Sequence, residues 1–105
     1  MVCNSTGHAL TIAASNNTSI YESAKILKNG GLIAFPTDTV YGVGAIYTNT
    51  AAVHRLYNVK SRAYNKAIPI LVGRFSDAWS LSKEVPQNAQ SLAEAFWPGP
   101  LSLVV

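Results

Sequence analysis

Three cations stand close together in Lys60-Ser61-Arg62-Ala63-Tyr64-Asn65-Lys66, and two hydroxyls flank a carboxylate in Thr37-Asp38-Thr39. An ammonium is a compact point charge and a guanidinium a planar fork, so Lys60 and Arg62 together suit a polyphosphate. Residues i and i+2 of an extended chain share a face, so an extended segment here turns Lys60 and Arg62 to one side. The plainer reading of the same run is a solvated basic loop. Thr37 and Thr39 directly follow an apolar run, and α/β proteins hold ligands beyond the carboxyl ends of their strands. The plainer reading there is a threonine or Asx-type turn that satisfies its own backbone. Gly42 and Gly44 clear one face of a strand, either for close packing or for a ligand that approaches the backbone.

Other chemistries find less support. The sequence has no GxxxxGK[ST] loop and no GxGxxG turn. Its acids, Glu22, Asp38, Asp77, Glu84 and Glu94, are scattered, and no Ser-His-Asp or Cys-His pair has motif context. His8 and His54 lack metal-ligand spacing, so no metal-binding residue is assigned. Cys3 is the one cysteine, which excludes an intrachain disulfide and points to a reducing compartment. Eight Lys and Arg against five Asp and Glu give a net charge of +3, and four of the cations, Arg55, Lys60, Arg62 and Lys66, fall close together. That bias suits phosphates or nucleic acid without requiring either. Charged residues make up 12%, against about 25% in an average domain, so part of this surface is expected to be covered by something else. No apolar run approaches the roughly 20 residues of a membrane span, and no secretory leader is visible. The expected location is cytoplasmic; an acid-free start without arginine supports a mitochondrial one only weakly.

The elements that must position these residues alternate between helix and strand. The run from Ala9 to Ala14 reads as an edge strand or as tail. Ser19 with Glu22 has capping-box spacing, and Ile20, Ala24 and Leu27 recur at helical intervals, predicting a helix from about Ile20 to Lys28 that Asn29-Gly30-Gly31 stops. Leu32-Ile33-Ala34-Phe35 predicts a central strand covered on both sides, and Val40 to Tyr47 a second extended segment. Asn49 or Thr50 caps a helix whose apolar stripe is Ala52, Val53, Leu56 and Tyr57. Ile68 to Val72 is another apolar run, interrupted by Pro69. Ser76 or Asp77 starts a short helix, Pro86 opens a longer one, and Trp97-Pro98-Gly99-Pro100 ends it before an expected strand, Leu101 to Val105.

With these segments in place, a family resemblance emerges. Gly30-Gly-Leu-Ile-Ala-Phe-Pro-Thr-Asp-Thr-Val-Tyr-Gly-Val-Gly44 resembles the opening signature of the YrdC-like threonylcarbamoyl-AMP synthases. Lys60-Ser-Arg62 resembles their Lys-x-Arg motif, and Phe96-Trp-Pro-Gly-Pro-Leu-Ser-Leu-Val104 their Trp-Pro-Gly-Pro segment. The resemblance covers about residues 20 to 105. It implies an α/β fold with a twisted mixed sheet flanked by helices, in which residues 19–105 form the amino-terminal part of a YrdC-like domain behind a polar tail, 1–18. The domain is expected to continue past Val105, where relatives carry a Ser-x-Asn motif.

The activity so implied joins ATP, L-threonine and bicarbonate or carbon dioxide into threonylcarbamoyl-adenylate and pyrophosphate, for t6A modification of tRNA. The resemblance places Thr37, Thr39, Tyr41 and Leu71 at the threonine. It assigns Lys60 and Arg62 the catalytic role and sets Lys60, Arg62 and Lys66 against the nucleotide phosphates. Magnesium is expected to accompany ATP, and a downstream tRNA threonylcarbamoyl transferase complex to use the product. Relatives usually have Gly at the position of Ser61 and Pro at that of Ala63. Two rivals stand beside this reading. One is a double-stranded RNA or tRNA-binding module without catalysis. The other is the YrdC-like domain of a carbamoyltransferase, whose zinc-finger and acylphosphatase-like companions are not visible in this chain.

Overall fold

The computed structural model describes residues 2–3, 9–13 and 17–105, and the chain divides into two compact units, Met1–Lys66 and Ala67–Val105. The first unit holds strands β1 (Val2–Cys3) and β2 (Ala9–Leu10), helix α1 (Asn17–Lys28), strands β3 (Ile33–Phe35) and β4 (Gly42–Gly44), and helix α2 (Thr50–Val59). The strands pair in the order β2-β1-β3-β4, so β3 is central and β2 lies at an edge. Every pairing in this sheet is antiparallel, with Ile33 opposite Gly44 and Phe35 opposite Gly42. The α/β class agrees with the sequence expectation, and the central position of Ile33-Ala34-Phe35 does too. All three of those residues are half-buried, and α1 packs against β1 and β3.

Helix α1 begins at Asn17, earlier than the Ser19-Glu22 spacing predicts. Ser19 therefore lies inside the first turn and is buried, at 6% exposure. A small side chain can fill that inward position, which is why the capping-box pattern misplaces the start. The carboxyl end does stop at Gly30, whose φ of +79° is the left-handed state that glycine adopts without a Cβ clash. The amides of Gly30 and Gly31 return to the carbonyls of Leu27 and Ile26 at 3.0 and 2.8 Å, the paired bonds of a Schellman cap.

In α2, Asn49 is the cap: its Oδ1 accepts from the Ala52 amide at 3.0 Å. Ala52 and Leu56 are buried, Val53 and Tyr57 half-buried, and His54, Arg55 and Asn58 exposed, which is the expected stripe. The guanidinium of Arg55 reaches back and donates to the Gly30 carbonyl. That contact ties the end of α1 to α2 and takes Arg55 out of the cation cluster suggested by its sequence position.

The second unit holds α3 (Phe75–Leu81) and α4 (Gln87–Phe96). Arg74 forms a two-point ion pair with Asp77 in the first turn of α3, at 3.0 and 3.2 Å. The adjacent carboxylate holds the Arg74 guanidinium above its usual pKa. Ala89 and Ala93 are the buried positions of α4. Trp97 stacks on Trp79 with centroids 6.0 Å apart, and its indole N–H donates to the Leu101 carbonyl at 2.7 Å. The strand expected from Leu101 to Val105 is not formed, and neither is one from Ile68 to Val72. Apolar composition supplies a surface to cover, but a strand also needs a hydrogen-bonding neighbour, and neither run pairs with one here. Among the described residues no helix is long and apolar enough to cross a membrane.

Candidate functional site

The basic segment owes its conformation to the end of α2. Lys60 is the C-cap just beyond Val59, with φ −80° and ψ −3°, and Ser61 takes φ +47°. The Ser61 amide donates to the Asn58 carbonyl at 3.1 Å and the Arg62 amide to the Tyr57 carbonyl at 3.0 Å. These two bonds are again a Schellman cap, now with serine at the left-handed position that glycine usually fills. The extended chain that would turn Lys60 and Arg62 to one side is therefore absent. A reversal of the backbone separates them instead, because a helix must satisfy its last carbonyls before the chain departs.

Beyond the cap, the chain closes a turn through the Lys66 amide and the Ala63 carbonyl, 3.0 Å apart. The carbonyl of Lys66 accepts two further bonds, from the Tyr57 hydroxyl at 3.0 Å and from Arg62 Nε at 3.1 Å. Tyr64 folds onto the helix: its hydroxyl donates to Asn58 Oδ1 at 2.9 Å, and its ring lies 5.1 Å from that of Tyr57 and 5.3 Å from that of His54. Lys60, Ser61, Arg62, Ala63 and Lys66 line a concavity of about 430 Å³. Among the described residues no carboxylate pairs with Lys60 or Lys66. Like charges gathered on one short loop repel, and the negative end of the α2 dipole offsets only part of that; an anion in the concavity would offset more.

The hydroxyl turn is a second cluster. Thr37 Oγ1 accepts from the Thr39 amide at 3.2 Å, stands 3.4 Å from Thr39 Oγ1, and donates to the Val40 carbonyl. This is the self-satisfying threonine turn of the plainer sequence reading. It also leaves Thr37, Asp38, Thr39 and Tyr41 on an exposed segment. Leu71, at 76% exposure, belongs to the second unit. Lys60, Arg62 and Lys66 thus share one loop, Thr37, Thr39 and Tyr41 share another, and the hydroxyl turn does not line the basic concavity. Sequence reasoning passed over Tyr57, Asn58 and Tyr64 as contributors to the site. Tyr57 looks like one more apolar residue in a helical stripe, and no spacing rule connects it to a carbonyl nine residues on.

Gly42 and Gly44 resolve toward packing. A Cβ on Gly42 would stand 3.0 Å from ring atoms of Phe35, and one on Gly44 3.1 Å. The glycines make room for that aromatic ring across the β3–β4 pair.

The fold and the loops together define an α/β protein that presents a cationic concavity on one loop and an exposed hydroxyl turn on another. The Sua5/YciO/YrdC family model, described as "Telomere recombination", matches residues 25–105. The chain belongs to that family. It is similar to the threonylcarbamoyl-AMP synthase of Pyrococcus abyssi, with 42% identity over 79% of this chain and 24% of that protein. It is similar also to that of Bacillus subtilis, with 35% identity over 88% of this chain and 27% of that one. The crystal structure of P. abyssi Sua5 complexed with L-threonine superposes with a TM-score of 0.76 at 38% identity, covering 80% of this chain and 25% of that one. The chain therefore spans about a quarter of the length of these relatives.

Proposed function

We propose that this chain carries the phosphate-binding and threonine-facing segments of a threonylcarbamoyl-AMP synthase, a nucleotidyltransferase acting in t6A modification of tRNA. The observation that carries the reading is the gathering of Lys60, Arg62 and Lys66 on one clasped loop around a single concavity. The family membership and the relatives' names support it. The substrates are ATP, L-threonine and bicarbonate or carbon dioxide. Threonine's amine and carbon dioxide form a carbamate, whose oxygen attacks the α-phosphorus as the bond to pyrophosphate breaks.

Such a reaction depends on alignment and on cations where negative charge leaves. Lys60 and Arg62 act on the phosphates in the reaction, and Lys66 helps hold them. Thr37, Thr39, Tyr41 and Leu71 are assigned to threonine, and the hydroxyls of the turn are suited to its polar groups. Magnesium would enter with the nucleotide as its counter-ion. The compartment assigned is the cytoplasm.

Calorimetric titration with L-threonine, with and without ATP and magnesium, tests this function. Threonine affinity should rise in the presence of ATP. A folded chain whose threonine binding ignores ATP would contradict the reading. A second reading, tRNA or double-stranded RNA held on the same loop, is favoured by the exposure of Lys60, Tyr64 and Lys66 together. Binding of that kind should weaken steeply with salt and ignore threonine.

A further inference from the structure

We propose that Tyr57 is a positioning residue for the phosphate site, its hydroxyl acting through the Lys66 carbonyl to hold the guanidinium of Arg62. The inference rests on the phosphate-site reading above and deepens it. Tyr57 grips Arg62 from two directions. Its carbonyl accepts the Arg62 amide at 3.0 Å, and its hydroxyl binds the Lys66 oxygen that also accepts Arg62 Nε. A carbonyl oxygen has two lone pairs, and the hydroxyl and Nε donors suit one each.

The segment from Lys60 to Lys66 contains no proline to stiffen it. Its shape depends on hydrogen bonds: the cap, the turn from Ala63 to Lys66, the Tyr64 hydroxyl on Asn58, and this shared acceptor. The cap holds the backbone of Arg62, whereas the shared acceptor holds its Nε. With the hydroxyl gone, the Lys66 carbonyl keeps the Arg62 donor but loses its tether to the helix. The guanidinium then moves with the loop, and the preorganisation of the fork toward a phosphate is lost.

Tyr57→Phe tests this in the full 105-residue chain, because it removes the hydroxyl and keeps the ring against Tyr64. One readout is hydrogen exchange at Arg62 Nε, followed by nitrogen-15 NMR; the other is affinity for inorganic pyrophosphate. Exchange at Nε should accelerate about tenfold, while the Ser61 and Arg62 amides held by the cap keep their protection. Pyrophosphate affinity should fall by about 2- to 10-fold, the range of one neutral hydrogen bond. Tyr21→Phe, on the exposed side of α1, should move neither. Unchanged exchange at Nε overturns the proposal, and so does loss of amide protection throughout the loop, which would make the hydroxyl merely structural. Faster exchange with unaltered pyrophosphate affinity overturns it too. Arg62→Ala separates the two levels. If it weakens pyrophosphate binding and Tyr57→Phe does not, only the positioning role fails. If pyrophosphate does not bind, or binds regardless of Arg62, the phosphate-site reading fails and the proposal with it.

Discussion

Ser61 occupies the one left-handed position outside glycine among the described residues. A Cβ in that conformation crowds the following carbonyl, at a cost of roughly 1–2 kcal/mol, and glycine escapes this while giving back part in unfolded-chain entropy. Ser61→Gly should therefore raise unfolding stability by about 0.5–1 kcal/mol, read from urea denaturation; a loss of stability would mean that the serine side chain contributes something the cap geometry does not reveal. Gly42 is the opposite case. Its Cβ would press on the Phe35 ring at 3.0 Å, so Gly42→Ala should destabilise by about 1–3 kcal/mol, the usual range for overpacking. Alanine accepted there without cost in the same denaturation experiment would show that the ring yields freely and that the glycine pair serves another purpose.

At the scale of elements, α2 carries the site, and both of its ends are fixed by identifiable bonds. Asn49→Ala removes the cap on the Ala52 amide and should cost about 1 kcal/mol in thermal or urea unfolding; an unchanged midpoint would assign the start of α2 to its packing alone. Much of this organisation was legible beforehand. Periodicity placed α2 and α4, Asn49 was one of two candidate caps, and Asn29-Gly30-Gly31 marked the end of α1. What eluded the sequence has physical causes. Lys60-x-Arg62 invited an extended reading because the stop signal at Ser61 is not a glycine. The apolar run at Leu101 looked like a strand because hydrophobicity reports burial, while a strand requires a partner backbone. Gly42 and Gly44 were ambiguous until Phe35 was seen lying over them. The clasp at Lys66 escaped notice because a main-chain acceptor has no signature in the sequence.

At the scale of the molecule, the buried set is small. Among the described residues Ala52, Leu56, Ala89 and Ala93 are the buried apolar ones, and no large side chain is fully enclosed. Stability in each unit therefore leans heavily on capped helices and specific hydrogen bonds, and loss of a single one should be felt. The same economy shapes the proposed site, whose three cations are arranged by a helix end and one shared carbonyl rather than by a deep core. The chain matches relatives over most of its own length but only about a quarter of theirs, and the proposal gives it phosphate-binding and threonine-facing segments. Its central claim is that the loop from Lys60 to Lys66 binds those phosphates. The most direct measurement is a titration of the chain with magnesium and ATP, run in parallel on Arg62→Ala after circular dichroism confirms that both are folded. The account predicts saturable ATP binding that weakens by about tenfold or more in the variant, as expected for removal of a charge-assisted contact. Equal affinity in the two folded proteins, or no ATP binding by the unsubstituted chain, would contradict it.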